Sequence, residues 1–117
     1  MSWIGVDLDG TLAHYDGWHG TGNIGEPIPA MVARVKSWLA QGKEIRIFIA
    51  RISKPAVKTS GQTREEVRAP IQDWCQKHIG RILPITCTKD FACIEIWDDR
   101  AVQVVPNTGL RADGKED

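Results

Sequence analysis

Short apolar, β-branched runs alternate along this chain with segments of helical period, and that alternation admits few folds. The first run, Trp3-Ile4-Gly5-Val6, ends at Asp7. A glycine-rich stretch over 10–25 follows, read as a long loop or small hairpin. Residues 29–41 then carry Met31, Val32, Val35, Trp38 and Leu39 on one helical stripe, with Pro29 suited to the first turn and Gly42 to the cap. Residues 44–50 read as the second strand and 51–62 as a loop. Thr63 and Glu66 form a capping box, so a helix starts there; Pro70 predicts a kink or restart, and Gly80 a stop after His78. Three more strands are expected at 85–87, 93–97 and 101–105.

This pattern predicts an α/β fold: a three-layer Rossmann-like domain around a central parallel sheet of about five strands, with no large cap domain. The expected domain spans 1–106, with a short flap at 12–28. Residues 107–117 are polar, lack a core pattern and read as a mobile tail.

Composition excludes several functions. The chain has 117 residues, 42% hydrophobic and 26% charged, which suits one folded domain. Fifteen basic residues balance fifteen acidic ones, which argues against a broadly basic nucleic-acid surface. No apolar run approaches the roughly 20 residues of a membrane span, so no membrane partner is expected. Residues 1–5 lack the features of a signal peptide, and a cytoplasmic location is the expectation. Cys75, Cys87 and Cys93 form no Cys-x-x-Cys pair and read as reduced thiols.

The chemistry concentrates after two apolar strands. Asp7-Leu8-Asp9-Gly10-Thr11-Leu12 follows the first, and Asp98-Asp99 follows the strand ending in Trp97. Parallel sheets bind ligands beyond the carboxyl ends of their strands. Gly10 permits a tight turn whose N–H groups, with that of Thr11, can hold anionic oxygens. Four carboxylates converging on one edge repel each other and raise their pKa values. A divalent cation removes the conflict, and an all-oxygen, partly hydrated site suits Mg²⁺. Lys89 follows the third strand, where it either pairs with a phosphoryl oxygen or is a solvated loop residue.

These residues, in this order, resemble the haloacid dehalogenase superfamily of phosphotransferases. Asp7-Leu8-Asp9-Gly10-Thr11-Leu12 matches that family's first motif, Lys89 the third and Asp98-Asp99 the fourth. The chain looks similar to small, capless phage-type members, which carry stretches like 22–29 and 97–104 here; for these the location is the host cytoplasm. The resemblance implies a Mg²⁺-dependent phosphatase acting on a phosphomonoester through an aspartyl-phosphate. Asp7 would be the nucleophile, Asp9 the acid and base, and Lys89 a neutraliser of developing charge. Gly10, Thr11 and Arg51 would contact phosphate. Asp7, the Leu8 carbonyl, Asp98 and Asp99 would hold the metal.

One position departs from the family: Ile49 stands where a Thr or Ser hydroxyl is expected. Losing such a donor costs on the order of 10²-fold in rate, about 3 kcal/mol. The alternative is therefore a weakly active or inactive phosphate-binding or interaction protein of the same fold. A capless site admits a nucleotide or a nucleic-acid phosphate end, or is covered by a second subunit of a homo-oligomer. Tyr15, Trp18 and His19 in the flap either stack on a base or sugar or anchor the flap. Lys54, Lys58, Arg64 and Arg68 either steer an anion or form a solvated basic face.

Overall fold

Strand β1 (Trp3–Val6) is buried along its whole length, as expected of a run with no polar alternation. The computed structural model describes residues 2–116. After β1 come α1 (Pro29–Ala40), β2 (Glu44–Phe48), α2 (Lys54–Ser60), α3 (Arg64–His78), β3 (Ile85–Thr86) and β4 (Cys93–Trp97). The strands form one parallel sheet in the order β3-β2-β1-β4. This is an α/β architecture, and no cap domain is present among the described residues.

Register explains where the core sits. Ile4 pairs with Ile45 and Val6 with Ile47, so these side chains share one face. They join Val32 and Val35 of α1 and Ile71, Trp74 and Cys75 of α3 in one buried cluster. Both helices belong to crossovers that step in the same direction, from β1 to β2 to β3. Right-handed connections then place both on the same side of the sheet. The step to β4 goes the other way, but residues 87–92 contain no helix.

The opposite face carries neither α1 nor α3. Trp3 packs edge-on against Phe48, with ring centroids 6.1 Å apart; the Arg46 guanidinium lies 4.5 Å above the Trp3 ring. The Trp3 indole donates to Asp90 at 2.7 Å. Ile94 and Ile96 on this side remain 62% and 41% exposed. The expected three-layer arrangement is not what α1 and α3 build, because the crossover that would carry the second helical layer is too short for a helix.

Three local expectations need correction. Residues 51–62 are not all loop: Ser53 caps α2 by accepting from the Ala56 N–H, and Gly61 ends it in the left-handed region. α3 runs through Pro70 without a restart. The carbonyl four residues earlier, on exposed Glu66, loses its donor where water can replace it. The expected fifth strand at 101–105 joins no sheet. Val104 makes only an isolated antiparallel bridge with Arg111, and Val102, Val104 and Val105 stay exposed. The tail turns back on this segment through bonds from Val105 N–H to Leu110 and from Ala112 N–H to Gln103.

No helix among the described residues is long and apolar enough to cross a membrane.

Candidate functional site

β1 lies inside the sheet, and its neighbours β2 and β4 are reached by connections running in opposite directions. Such a reversal opens a crevice beyond the strand ends. Asp7 stands there at the end of β1, and its N–H donates to the Trp97 carbonyl at 2.9 Å. Trp97 is anchored to α1: its ring lies 5.2 Å from that of Trp38, and the Arg34 guanidinium sits 4.8 Å over it. That anchor sets where the chain leaves β4, and so where Asp98 and Asp99 lie.

The result is an acidic trio. Asp7, Asp98 and Asp99 each offer a carboxylate oxygen, all within 4.8 Å of one another. One Asp98 oxygen accepts from the N–H groups of Arg100 (2.7 Å) and Ala101 (3.2 Å), which fixes the turn. Gly10 has φ 87° and lies under Asp99, where any Cβ would overlap the carboxylate. Burial raises the Asp7 carboxyl to about 7, reinforced by a hydrogen bond to Asp99 and by the charges of Asp98 and Asp99. The trio is suited to a hard cation, since a positive ion would relieve the same repulsion.

Asp9 is held differently. Arg51, only 8% exposed, grips both its oxygens, with Nε to Oδ2 at 2.9 Å and Nη2 to Oδ1 at 2.8 Å. The guanidinium also donates to the flap carbonyls of Thr21 (3.1 Å) and Asn23 (3.3 Å). The Trp18 ring lies 4.6 Å from it. Arg51 thus joins the end of β2, the first acidic motif and the flap. At its base the flap closes through His14 N–H to Glu26 and Ile28 N–H to Leu12. Gly25 passes so close to the His14 carbonyl that no side chain fits there, and the Trp74 indole donates to the Gly25 carbonyl at 3.0 Å.

Asp7, Asp9, Asp98, Asp99 and Arg51 all line one cavity of about 530 Å³, together with the buried Ile49. Other expected groups are placed elsewhere. Lys89 is exposed, does not line this cavity and makes no hydrogen bond or ion pair among the described residues. The Leu8 carbonyl, expected to face a cation, accepts from the N–H groups of Thr11, Leu12 and Ala13 inside the turn. The Gly10 and Thr11 N–H groups, expected to face phosphate, donate to Ala13 and Leu8. The Thr11 hydroxyl is buried without a partner among the described residues.

Sequence reasoning missed the Arg51–Asp9 pairing and the contribution of α2 to the cavity wall through Ala56. Nothing local signals the pairing, which spans 42 positions. Ser53 followed by Pro55 does signal the helix: an N-cap residue and a first-turn proline.

Comparison with family models, curated proteins and solved structures gives no match for this chain.

Two outcomes follow from this geometry. Arg51→Ala leaves Asp9 and two flap carbonyls without their donor, and breaking such a buried pair costs about 3 kcal/mol or more. Urea denaturation checks the loss, and amide exchange over 15–25 should quicken; a loss below about 1 kcal/mol with unchanged exchange contradicts the clasp. The second outcome concerns pH. Asp7 keeps its proton up to about 7 in the folded chain, whereas an unfolded aspartate releases it near 4. Between those values the folded state binds the extra proton, so stability falls as pH rises. In metal-free buffer the melting temperature of the wild type should decline relative to Asp7→Asn from pH 5 to 8. Parallel melting curves for the two proteins would contradict the assignment.

Proposed function

We propose that the chain is a Mg²⁺-dependent phosphohydrolase of the haloacid dehalogenase type, acting on a phosphomonoester. The observation that carries this reading is the convergence of Asp7, Asp98 and Asp99 within 4.8 Å at the crevice between β1 and β4. Asp9 and Arg51 sit in the same cavity. The order of these residues along the chain is also that of the family the sequence resembles.

Asp7 is the attacking group. One of its carboxylate oxygens bonds to phosphorus while the bond from phosphorus to the alcohol oxygen breaks, giving an aspartyl-phosphate. Asp9, released from Arg51 and protonated from solvent, passes that proton to the departing alcohol oxygen. It then takes one back from the water that attacks phosphorus, as the bond from phosphorus to the Asp7 oxygen breaks and inorganic phosphate leaves. Splitting the transfer in this way lets one carboxyl group serve both halves. Asp9 is free for this role once Arg51 turns its guanidinium from the carboxylate to the phosphoryl oxygens. That exchange keeps one buried ion pair in place of another.

Asp7, Asp98 and Asp99 would hold Mg²⁺, which when bound offsets the repulsion between an anionic phosphoryl group and an anionic carboxylate. Gly10 gives Asp99 the room to reach that position. Lys89 takes no step in this scheme; Arg51 and Arg100 are the cations lining the cavity.

A second reading, a phosphate-binding protein with little turnover, is favoured by Ile49. Its apolar side chain lines the cavity where a hydroxyl donor would help. Turnover of an aryl phosphate decides between them. The wild type should hydrolyse it with Mg²⁺ and lose all activity on chelation or on Asp7→Asn substitution. Purified wild type without turnover across a broad panel of phosphate esters would leave the binding reading standing. In the same assay Ile49→Thr should raise the rate by up to about 10²-fold. An unchanged or lower rate would show that Ile49 belongs to a different design of site.

A further inference from the structure

We propose that the phosphate ester accepted here is small and that its alcohol carries a flat, uncharged ring, seated in a second cavity beside the acidic one. The inference rests on the phosphohydrolase reading for the position of the phosphate, and on independent features for the ring. The second cavity holds about 780 Å³ and is lined by flap residues Gly20 and Thr21 and by α2 residues Pro55 and Thr59. It shares Trp18, Arg51, Ser53 and Ala56 with the first cavity, so the two are contiguous. Each has the size of a pocket for a small organic ligand.

Charge separates a small ester from a polymer. A nucleic-acid strand brings one phosphate per nucleotide and is held by a row of cations. Among the described residues Arg51 is the one charged residue lining the second cavity; its charge is matched by Asp9 in the free protein and by the phosphoryl group in the scheme above. Lys54, Lys58, Arg64 and Arg68, which in sequence could steer an anion, line neither cavity. One phosphate can be satisfied at the acidic end. A second charge on the alcohol would lose its water here without a counter-ion.

The walls favour a ring. Trp18 is 55% exposed although Arg51 stacks on it. Its indole therefore keeps a surface on which a flat group can lie, and Pro55 and Ala56 add apolar wall. The hydroxyls nearby are mostly spent: Thr59 donates to the Pro55 carbonyl, Ser60 to the Val57 carbonyl and Thr21 to Gln62. Recognition then comes from stacking and shape more than from hydrogen bonds. Stacking on one aromatic side chain gives about tenfold in affinity.

Calorimetric titration of Asp7→Asn, first with Mg²⁺ alone to fix a saturating concentration for its altered metal site and then with the esters at that concentration, tests this without turnover. The probes are a nucleoside monophosphate, 4-nitrophenyl phosphate, glycerol phosphate and a 5′-phosphorylated oligonucleotide, each at low and high salt. Both ring-bearing esters should bind about tenfold more tightly than glycerol phosphate. The tighter of the two tells whether the ring is a base with its sugar or a bare aryl group. The oligonucleotide should gain nothing over the mononucleotide. Trp18→Ala should erase the ratio between ring-bearing esters and glycerol phosphate, whatever it does to the affinity for phosphate itself through Arg51. Thr59→Trp, which fills the second cavity from exposed α2, provides the same comparison if the flap variant fails to fold. Ring esters no tighter than glycerol phosphate, or an oligonucleotide bound more tightly with a steep salt dependence, would overturn the inference. Wild-type turnover of the same panel separates the two readings. Absent turnover with the ring preference intact overturns the phosphohydrolase alone, whereas turnover with no ring preference overturns the ring cavity alone.

Discussion

Parallel pairing of β1 with β4 forces like charges together, and the rest of the site answers that constraint. The bond from Asp7 N–H to the Trp97 carbonyl keeps the two strand ends in register up to their last residues. The carboxylates that follow have no room to diverge. At the 4.8 Å that bounds their spacing, two unit charges repel by on the order of 3 kcal/mol at an effective dielectric constant of about 20. A proton or a cation can relieve this. Burial first, and then this repulsion, raise the Asp7 carboxyl to about 7. The glycine at position 10 shows that crowding is built into the backbone, since a side chain there would displace Asp99.

Asp9 faces the opposite problem and meets it with a side chain. A guanidinium taken from water is costly unless every donor finds an acceptor. Arg51 finds two carboxylate oxygens, two backbone carbonyls and an indole face. The same group therefore neutralises Asp9 and closes the flap. Ile49, two residues earlier, contributes only apolar wall. Polar contact from the end of β2 is thus concentrated in one long cationic side chain, where a short hydroxyl on the strand would have given a fixed donor. A short hydroxyl could not have gripped both Asp9 oxygens and the flap carbonyls at once.

Much of this was legible in the sequence. Strand β1 declares itself by an unbroken apolar run, and β2 and β4 by apolar residues alternating with Arg46 and Glu95; a carboxylate directly after such a strand must emerge at a sheet edge. Parallel order then brings Asp7 and Asp98 to the same edge, whatever the layers around them. The limits have separate physical causes. The valine-rich segment at 101–105 has strand composition, but a strand needs an edge to pair with, and the chain turns back on itself after Pro106 instead. Lys89 has the right position in the motif order, yet β3 is two residues long and lies at the far edge of the sheet from β4. Arg51 was singled out, but its partner was not, because a contact across 42 positions leaves no local periodicity. The layering failed for a topological reason: a second helical face requires a helix in the crossover to β4, and residues 87–92 are too few.

That missing helix bears on the site. β4 supplies two of the three carboxylates, and it is an edge strand with Ile94 and Ile96 exposed on the uncovered face. Packing from that side cannot hold it. What does hold it is its ladder with β1 and the contact of Trp97 with Trp38 and Arg34 on α1. Asp98 and Asp99 follow Trp97 immediately, so a shift of this one indole moves both carboxylates together against Asp7. In a fold layered on both faces the acidic residues would be clamped by two helices. Here the spacing of the trio is as rigid as a single tryptophan anchor, and the geometry of the three carboxylates is set at the surface of α1.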